Sequence, residues 1–490
     1  MSDRAEDPGE DSPASPPAQG HYSPSWSSEH AERHLSSLEL FGMRFGLDRI
    51  RRMMTALGSP ERRFETIHVV GTNGKSSTTR MIAAILERHG LRTGAYTSPH
   101  LMSYTERVQV GERDLDQSAF AAAVARAAWA AERVNHTLAG DDHVTQFELL
   151  TAAALWAMAE REVEVAVVEA GLGGRYDATS VIDSRLTVLT NVGLEHTRWL
   201  GPTVHDIAEE KLAVLRPGTT LVLTDVLAPE ALAVARRVAV ERDSQIVLAE
   251  VSSAYIPSLG TDGAESLLIT ELRARGSFQR RNFALARAAA EAYLRSVGFE
   301  PRADAVREAA RTTEVPGRLQ VVGEEPLTVL DSAHNPDAVR ALVESLPELL
   351  AARPLALVLG VLEDKDAVSM LRELLALCEC AWFTLPPSSR ALPPTALQSL
   401  SRQLGFEAVV CEPEPWRALA EARRWARERG DGAAVLATGS VYLVGDLLGH
   451  LADGGVDADR AVPAHGSPGP AQGSPAPAPS THTPLRSPAR

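Results

Sequence analysis

A glycine-rich loop between an apolar run and a helical pattern most constrains what this chain can fold into. Ile67–Val70 is typical of a buried strand, and apolar residues then recur at the spacing of one helix face over positions 81–86. The loop between them reads Gly71-Thr72-Asn73-Gly74-Lys75-Ser76-Ser77. Its backbone N–H groups and the helix N-terminus favour a phosphate, Lys75 adds charge for the β- and γ-phosphates, and Ser76 or Ser77 could reach magnesium. The pattern therefore predicts a nucleoside triphosphate site rather than a simple glycine-rich turn.

Composition places this loop in a folded, acidic chain. The 490 residues are 44% hydrophobic, enough for two or three domains, and 49 basic against 64 acidic residues give a net charge of −15. That balance does not suggest a nucleic-acid partner. No apolar run approaches the roughly 18 residues of a membrane helix, and the acidic, Pro/Ser-rich N-terminus is the opposite of a signal peptide. Cys378, Cys380 and Cys411 lack disulfide or zinc spacing, which predicts a reducing, cytoplasmic location.

Both ends of the chain are predicted to be disordered tails. Residues 1–28 and 453–490 are rich in Pro, Gly, Ala and Ser, and they hold too few large apolar residues to offset the entropy of ordering. Between the tails we expect an ATP-binding domain over 29–313 and a smaller C-terminal domain over 314–452. Val315-Pro316-Gly317, at the start of the second domain, predicts a hinge between the two domains.

Short β-rich runs alternate with longer helical patterns through the body of the chain. This alternation predicts an α/β fold with mostly parallel sheets, organised as a P-loop ATPase domain followed by a smaller Rossmann-like domain. The predicted strands after Ile67–Val70 are Thr93–Tyr96, Val163–Val168, Leu186–Thr190, Thr220–Leu223, Leu327–Leu330, Leu355–Leu359, Ala381–Thr384 and Ala433–Ala437. The predicted helices include Phe120–Val134, Phe147–Ala159, Val204–Leu215 and Asn282–Val297.

Three polar residues follow three different predicted strands. They are Ser98, Glu169 and His196. Because the carboxyl ends of parallel strands meet at one sheet edge, these side chains should lie near Lys75, where they could hold Mg²⁺. Each also has an ordinary interpretation, namely a proline-initiated turn, a capping or surface carboxylate, and a structural imidazole.

The sequence pattern leaves the roles of two further residues open. Lys211 lies on a predicted helix beside Glu209 and Glu210, and its spacing favours an exposed, locally paired charge. Asp331 closes the strand Leu327–Leu330 and could either grip a ribose or cap the helix that Pro336 opens.

Seven motifs, in order between about residues 30 and 450, resemble the folylpolyglutamate synthase/dihydrofolate synthase family, a branch of the Mur ligase superfamily. The motifs are Gly71–Ser77, Thr97–Leu101, Val168–Arg175, Leu194–Thr197, Ile207–Lys211, Pro316–Arg318 and Leu330–Pro336. Thr-Ser-Pro-His-Leu at 97–101 and Gly-Leu-Gly-Gly-Arg at 171–175 belong to the folate branch.

The resemblance implies where cofactors and substrates bind. ATP would contact Gly71, Thr72, Asn73, Gly74, Lys75, Ser76, Ser77, Asn282, Arg318 and Asp331, with His334 beside the nucleotide. Mg²⁺ would be held by Ser98, Glu169, His196 and Lys211, the last carrying a carbamate that turns an ammonium into an anionic oxygen ligand. Lys75, Lys211 and His334 would be catalytic. The pteridine pocket would be lined by Thr145, Gln146, Phe147, Glu148, Tyr176, Asp177 and Ala178.

The implied activity is ATP-dependent ligation of L-glutamate through an acyl phosphate. Its acceptors would be dihydropteroate, giving dihydrofolate, and the γ-carboxylate of reduced folates, and the enzyme is expected to be a monomer. The alternatives are a folylpolyglutamate synthase only, a Mur-type ligase for another acceptor such as a cell-wall precursor, and a nucleotide-binding regulator that ligates nothing.

Three residues depart from the family pattern. Ser76 stands where glycine is common, Glu195 stands where Asp usually precedes the metal-binding His, and Ser332 replaces a glycine. None of these changes removes a group that carries chemistry in the implied mechanism.

Overall fold

Two separate sheets divide the chain into two α/β units. The computed structural model describes residues 26–38, 46–250, 272–430 and 432–454. The first unit contains the described residues up to Thr312, and the second unit follows, with Gln320–Glu324 as its first strand. The predicted tails lie outside the described residues except at 26–28 and 453–454, and a helix already begins at Ser28.

The first unit is built on an eight-stranded sheet. Its strands are β1 (Glu65–Val70), β2 (Thr93–Tyr96), β3 (Val108–Val110), β4 (Arg113–Asp114), β5 (Val165–Glu169), β6 (Leu186–Leu189), β7 (Thr220–Thr224) and β8 (Gln245–Ala249). Their order is β4-β3-β2-β5-β1-β6-β7-β8, and only the β2–β3 and β3–β4 pairs are antiparallel. Strand β1 is therefore central, and its end lies between the ends of β5 and β6.

Helices cover both faces of this sheet. They are Ser28–Ser37, Asp48–Ala56, Lys75–Arg88, Gln117–Asn135, Gln146–Glu160, Thr197–Leu200, Val204–Leu212, Pro229–Glu241, Ser277–Ser296 and Ala303–Thr312. Alternate residues of β5 enter different cores: Val165 and Val167 pack with Lys75–Arg88 and Ser277–Ser296, while Ala166 and Val168 face the other side. This period of two follows from the pleat of a strand, which turns successive side chains to opposite faces of the sheet.

The second unit is built on a six-stranded sheet. Its strands are β9 (Gln320–Glu324), β10 (Leu327–Leu330), β11 (Leu355–Leu359), β12 (Cys380–Phe383), β13 (Val409–Cys411) and β14 (Ala434–Thr438). The order is β13-β12-β11-β14-β10-β9, and β9 is the antiparallel edge strand. The helices are Pro336–Leu350, Ala367–Leu375, Pro394–Gln403, Pro415–Arg429 and Val441–Ala452.

The structure confirms the predicted fold class, two α/β units with mostly parallel sheets. Every predicted strand is present, although several ends move by one or two residues, as in Val165–Glu169 for the predicted Val163–Val168. The sequence did not reveal β3, β4, β8, β9 or β13, because these short strands lie at or near sheet edges. Their residues are mostly half-buried or exposed, and so they lack the continuous apolar run of a central strand.

Candidate active site

A cavity of about 580 Å³ lies where the two units meet. The first unit contributes the phosphate loop and the segments that follow β2, β5 and β6, as expected for ligand sites of parallel sheets. The second unit contributes the segment 315–318, the residues after β10 and the start of the helix Pro336–Leu350. Residues from both units therefore face one space.

The phosphate loop is held in shape by residues at the end of β6. The hydroxyl of Thr190 donates to the carbonyl oxygen of Asn73 at 2.7 Å, and the Asn191 side-chain oxygen accepts from the Asn73 backbone N–H at 2.8 Å. Gly74 has a φ of +80° at the N-terminus of the helix Lys75–Arg88, a conformation that favours glycine. The loop thus presents this helix N-terminus to the cavity, as a phosphate site requires.

Glu169 is a buried carboxylate at the end of β5. It accepts a hydrogen bond from the backbone N–H of Ser98 at 3.0 Å and another from the Ser76 side chain. Burial raises the pKa of Glu169, and the charge of Lys75 together with these hydrogen bonds opposes that rise. The structure therefore brings together Lys75, Ser76, Ser98 and Glu169, which the sequence had placed on three different segments.

Lys211 lies behind the phosphate loop rather than in the cavity wall. It is 4% exposed, and its ammonium donates to the carbonyl oxygen of Gly71 at 2.7 Å. Burial lowers the pKa of Lys211 to about 7, and the charge of Lys75 adds to the shift. The prediction from spacing alone, an exposed charge on a helix, is therefore wrong, because Lys211 is a buried amine with a substantial neutral fraction near pH 7.

The predicted magnesium ligands differ in how well they fit a cation. Glu169 supplies a carboxylate and Ser98 a hydroxyl, and burial lowers the pKa of His196 to about 4, which keeps its imidazole neutral and able to bind a metal. Within the described ranges, no cluster of three or more His, Cys, Asp or Glu side chains is arranged around a metal position. The predicted set contains only two such residues, and the Lys211 ammonium fits a cation only after it has lost its charge.

The second unit supplies Arg318, Asp331 and His334. The two carboxylate oxygens of Asp331 accept from the backbone N–H groups of Leu319 and Ala333, at 2.9 and 2.8 Å, and burial raises its pKa. His334 is oriented by a contact of 2.8 Å between its Nδ1 and the carbonyl oxygen of Ser332. From the first unit, Asn282 lines the same cavity, with its side chain directly against Gly74.

The segments predicted to hold a pteridine lie deeper in the first unit. Gln146 donates to the carbonyl oxygen of Leu35 at 2.7 Å, and Glu148 pairs with Arg49 at 3.1 Å. Phe147 packs on the cavity-lining Gly171. Gln146, Phe147 and Glu148 themselves do not line the cavity.

The second of these segments, 176–178, contains one exposed and two buried residues. Tyr176 is half exposed, whereas Asp177 is buried and accepts from the backbone N–H of Leu172 at 2.7 Å. Ala178, also buried, begins a short 3-10 helix. These residues do not line the cavity either, and the assignment of both segments to a pteridine remains a prediction.

Sequence reasoning missed several residues of the site. Thr190 and Asn191 follow β6 directly, so their place at a strand end was the available signal. Arg80 lines the cavity one helical turn after Ser76, and Lys365 reaches the site from the second unit. Lys365 follows β11 in the sequence, but only the contact between the two units brings it close.

Two family models match the chain. A Mur ligase middle domain matches residues 69–224, and a Mur ligase glutamate ligase domain matches residues 317–441. The folylpolyglutamate synthase of Lacticaseibacillus casei is 34% identical over 361 residues, which cover 72% of this chain and 84% of that protein. This chain belongs to the folylpolyglutamate synthase family of Mur ligases. It is accordingly an ATP-dependent ligase.

Other members of the folylpolyglutamate synthase family extend the comparison. The dihydrofolate synthase/folylpolyglutamate synthase of Bacillus subtilis is 31% identical over 84% of this chain and 96% of its own length. A Mycobacterium tuberculosis folylpolyglutamate synthase complexed with ADP superposes with a TM-score of 0.77 at 28% identity, over 86% of this chain and 97% of that one. E. coli FolC in complex with DHPP and ADP gives 0.72 at 28% identity, over 89% and 99%. Among the described residues, no helix has the length and apolar character to cross a bilayer.

Proposed function

We propose that this ligase joins L-glutamate to the carboxylate of dihydropteroate and to the γ-carboxylate of reduced folates. The observation that carries this proposal is the cavity in which the phosphate loop of the first unit faces Arg318, Asp331 and His334 of the second. A carboxylate is a poor acyl donor, so transfer of the γ-phosphoryl group of ATP to it would create the acyl phosphate that the amine of glutamate attacks.

In this mechanism, Lys75 and the backbone N–H groups of the loop bind the β- and γ-phosphates. Arg318 approaches from the second unit, and we assign its positive charge to the phosphoryl group in transfer. His334 is held by Ser332 beside the nucleotide, and we assign it a contact with the phosphates. Because these donors come from both units, the full set assembles only when the units are closed on each other.

The same residues suit a magnesium-dependent reaction. Bound magnesium would offset charge on the transferred phosphoryl group, and we assign Ser98, Glu169 and His196 to hold it. We also infer that Lys211 adds CO₂ to become a carbamate. Its lowered pKa supports this inference, since only the neutral amine is nucleophilic.

Water must be kept from an acyl phosphate. The side chains of Asn73 and Asn335 form two hydrogen bonds across the two units, at 2.9 and 3.3 Å. Leu101, from the loop after β2, packs against the core of the second unit. These contacts join the two units beside the cavity, which would help to keep water from the acyl phosphate.

Whether the enzyme uses one acceptor or two is inferred from the names of its relatives. The B. subtilis and E. coli proteins are named dihydrofolate synthase/folylpolyglutamate synthase, and the E. coli structure contains DHPP. The L. casei relative, at 34% identity, is named folylpolyglutamate synthase, so that single activity is the second candidate. We further propose that the protein is a monomer. We also propose that it acts in the cytoplasm, since its three cysteines are free thiols.

The test is phosphate release from MgATP and L-glutamate, with dihydropteroate and with tetrahydrofolate in separate reactions and with product masses determined. Turnover with both acceptors supports the proposal, and turnover with tetrahydrofolate alone supports the second candidate. Lys75→Ala should abolish turnover with either acceptor, whereas Arg88→Ala, on the same helix but outside the cavity, should not. Ligation retained in Lys75→Ala would contradict the assignment.

A further inference from the structure

The chain uses lysine very sparingly. Its 49 basic residues include only three lysines, Lys75, Lys211 and Lys365, and arginine supplies all the others. Two of these lysines lie in the phosphate loop and directly behind it. Arginine and lysine differ in chemistry, since lysine is a compact point charge and arginine a planar fork. Three lysines around one cavity therefore indicate places that suit a primary amine side chain, and the third has no role in the function described above.

Lys365 crosses from the second unit to the first. It follows β11, in the segment before the helix Ala367–Leu375, and its ammonium donates to Glu195 Oε1 at 3.0 Å. The two side chains are only 11% and 12% exposed, and 170 residues separate them in sequence. A nearly buried ion pair of this kind is costly to leave half made, so each partner depends on the other.

Glu195 also lies close to two histidines. The same oxygen that accepts from Lys365 lies 3.6 Å from Nε2 of His334 and 3.9 Å from Nε2 of His196. Glu195 and both histidines line the cavity, but Lys365 does not. The hydrogen bond of Lys365 to a residue of the cavity wall is therefore the one to Glu195.

We propose that Lys365 is a positioning residue that fixes Glu195, and through it His334 and His196, when the two units close. Lysine suits this position because its compact ammonium lies 3.0 Å from Glu195 and 3.7 Å from Asp364, while the same Glu195 oxygen stays within 4 Å of both histidines. The larger guanidinium of arginine requires more space and more acceptors. The inference rests on the proposed ligation in the same cavity.

A double-mutant cycle on kcat tests this transmission. Lys365→Met should lower kcat with tetrahydrofolate by roughly tenfold or more, while the affinity for ADP measured by calorimetry stays within about twofold. In a Glu195→Gln background, Lys365→Met should cause little further loss, because the group through which it acts has lost its charge. A lysine that acts independently of Glu195 would instead lower kcat by the same factor in both backgrounds, and that result would overturn the proposal.

Two further variants sharpen the experiment. Lys365→Arg should restore kcat only in part, and full restoration would contradict the requirement for an ammonium. Arg372→Met is the matched control, since Arg372 is an exposed cation on the helix Ala367–Leu375, which follows Lys365, and lies outside the cavity wall. Its kcat should equal that of the wild type. If the wild type showed no turnover with any acceptor, the proposed function would be refuted. If the wild type were active but the effects of the two substitutions were additive, only the role of Lys365 would be refuted.

Discussion

The backbone carbonyl of Leu101 rests directly on Gly445. Leu101 belongs to the loop after β2 in the first unit, and Gly445 lies inside the C-terminal helix Val441–Ala452 of the second. A Cβ atom at position 445 would overlap with the Leu101 carbonyl, so the absence of a side chain is what allows the two units to meet here. The first unit thus inserts a loop into the core of the second at the rim of the cavity.

Gly445→Ala should therefore impair closure of the two units. We expect kcat with tetrahydrofolate to fall by roughly tenfold, because the loop that carries Ser98 and Leu101 must move away from the helix. Gly449→Ala is a matched control in the same helix, since a Cβ there would meet nothing within 4 Å. It should leave kcat unchanged and stabilise the helix by about 0.5–1 kcal/mol, as measured by thermal unfolding. Equal behaviour of the two variants would contradict this explanation.

Asn335 combines two roles that substitutions can separate. Its side-chain oxygen caps the helix Pro336–Leu350 by accepting from Ala338 N at 2.8 Å, and its amide contacts Asn73 across the units. Asn335→Ser should keep the cap but be too short to reach Asn73, so the melting temperature should hold while kcat falls. Asn335→Ala should lose both, with an added cost of about 1 kcal/mol in the free energy of unfolding. If Asn335→Ser retained full kcat, the cross-unit contact would have no catalytic importance.

Lys211 should carry a carbamate in the wild-type enzyme. Its burial lowers its pKa to about 7, so a large fraction is neutral at pH 7.5 and can add CO₂. We expect a protein-bound carbamate signal in ¹³C NMR after equilibration with ¹³C-bicarbonate, and its loss in Lys211→Met. Lys75 and Lys365 remain in that variant and serve as internal controls. A signal that persists without Lys211 would exclude this lysine as the site.

His68 should make the fold sensitive to acid. It is buried on β1, with Nε2 2.8 Å from the Thr179 hydroxyl, and burial together with the charge of Arg216 lowers its pKa to about 3. The unfolded chain binds a proton at His68 below pH about 6.5 and the folded chain does not, so stability is lost as pH falls from about 6.5 to about 3. The slope from this one group is at most about 1.4 kcal/mol per pH unit.

His68→Gln should remove this contribution while keeping a partner for Thr179. Urea unfolding at several pH values between 7 and 4 should show that the wild type loses stability relative to the variant as the pH falls. His136→Gln, an exposed position, provides the control and should follow the wild type. Parallel curves for wild type and His68→Gln would show that His68 is not buried in its neutral form.

The fold and the phosphate site could be predicted from local patterns. Central strands such as β1 and β5 are buried on both faces, so continuous apolar runs revealed them, and the loop 71–77 carries its chemistry within seven consecutive residues. Edge strands such as β13 and β9 were missed, because half-exposed positions dilute that pattern. Ser98, Glu169 and His196 could be brought together by one rule, that parallel strands end at a common edge.

The sequence by itself determined the α/β architecture, the nucleotide loop and the strand-end residues, because each depends on neighbours within a few positions or on a repeating pattern. Only the tertiary structure decided the state of Lys211, which is a buried amine against Gly71 rather than a surface charge. It also decided that Lys365 meets Glu195 and that Leu101 meets Gly445. Those contacts join residues that lie 170 or more positions apart in different units, and no local pattern encodes the way two separately folded sheets pack together.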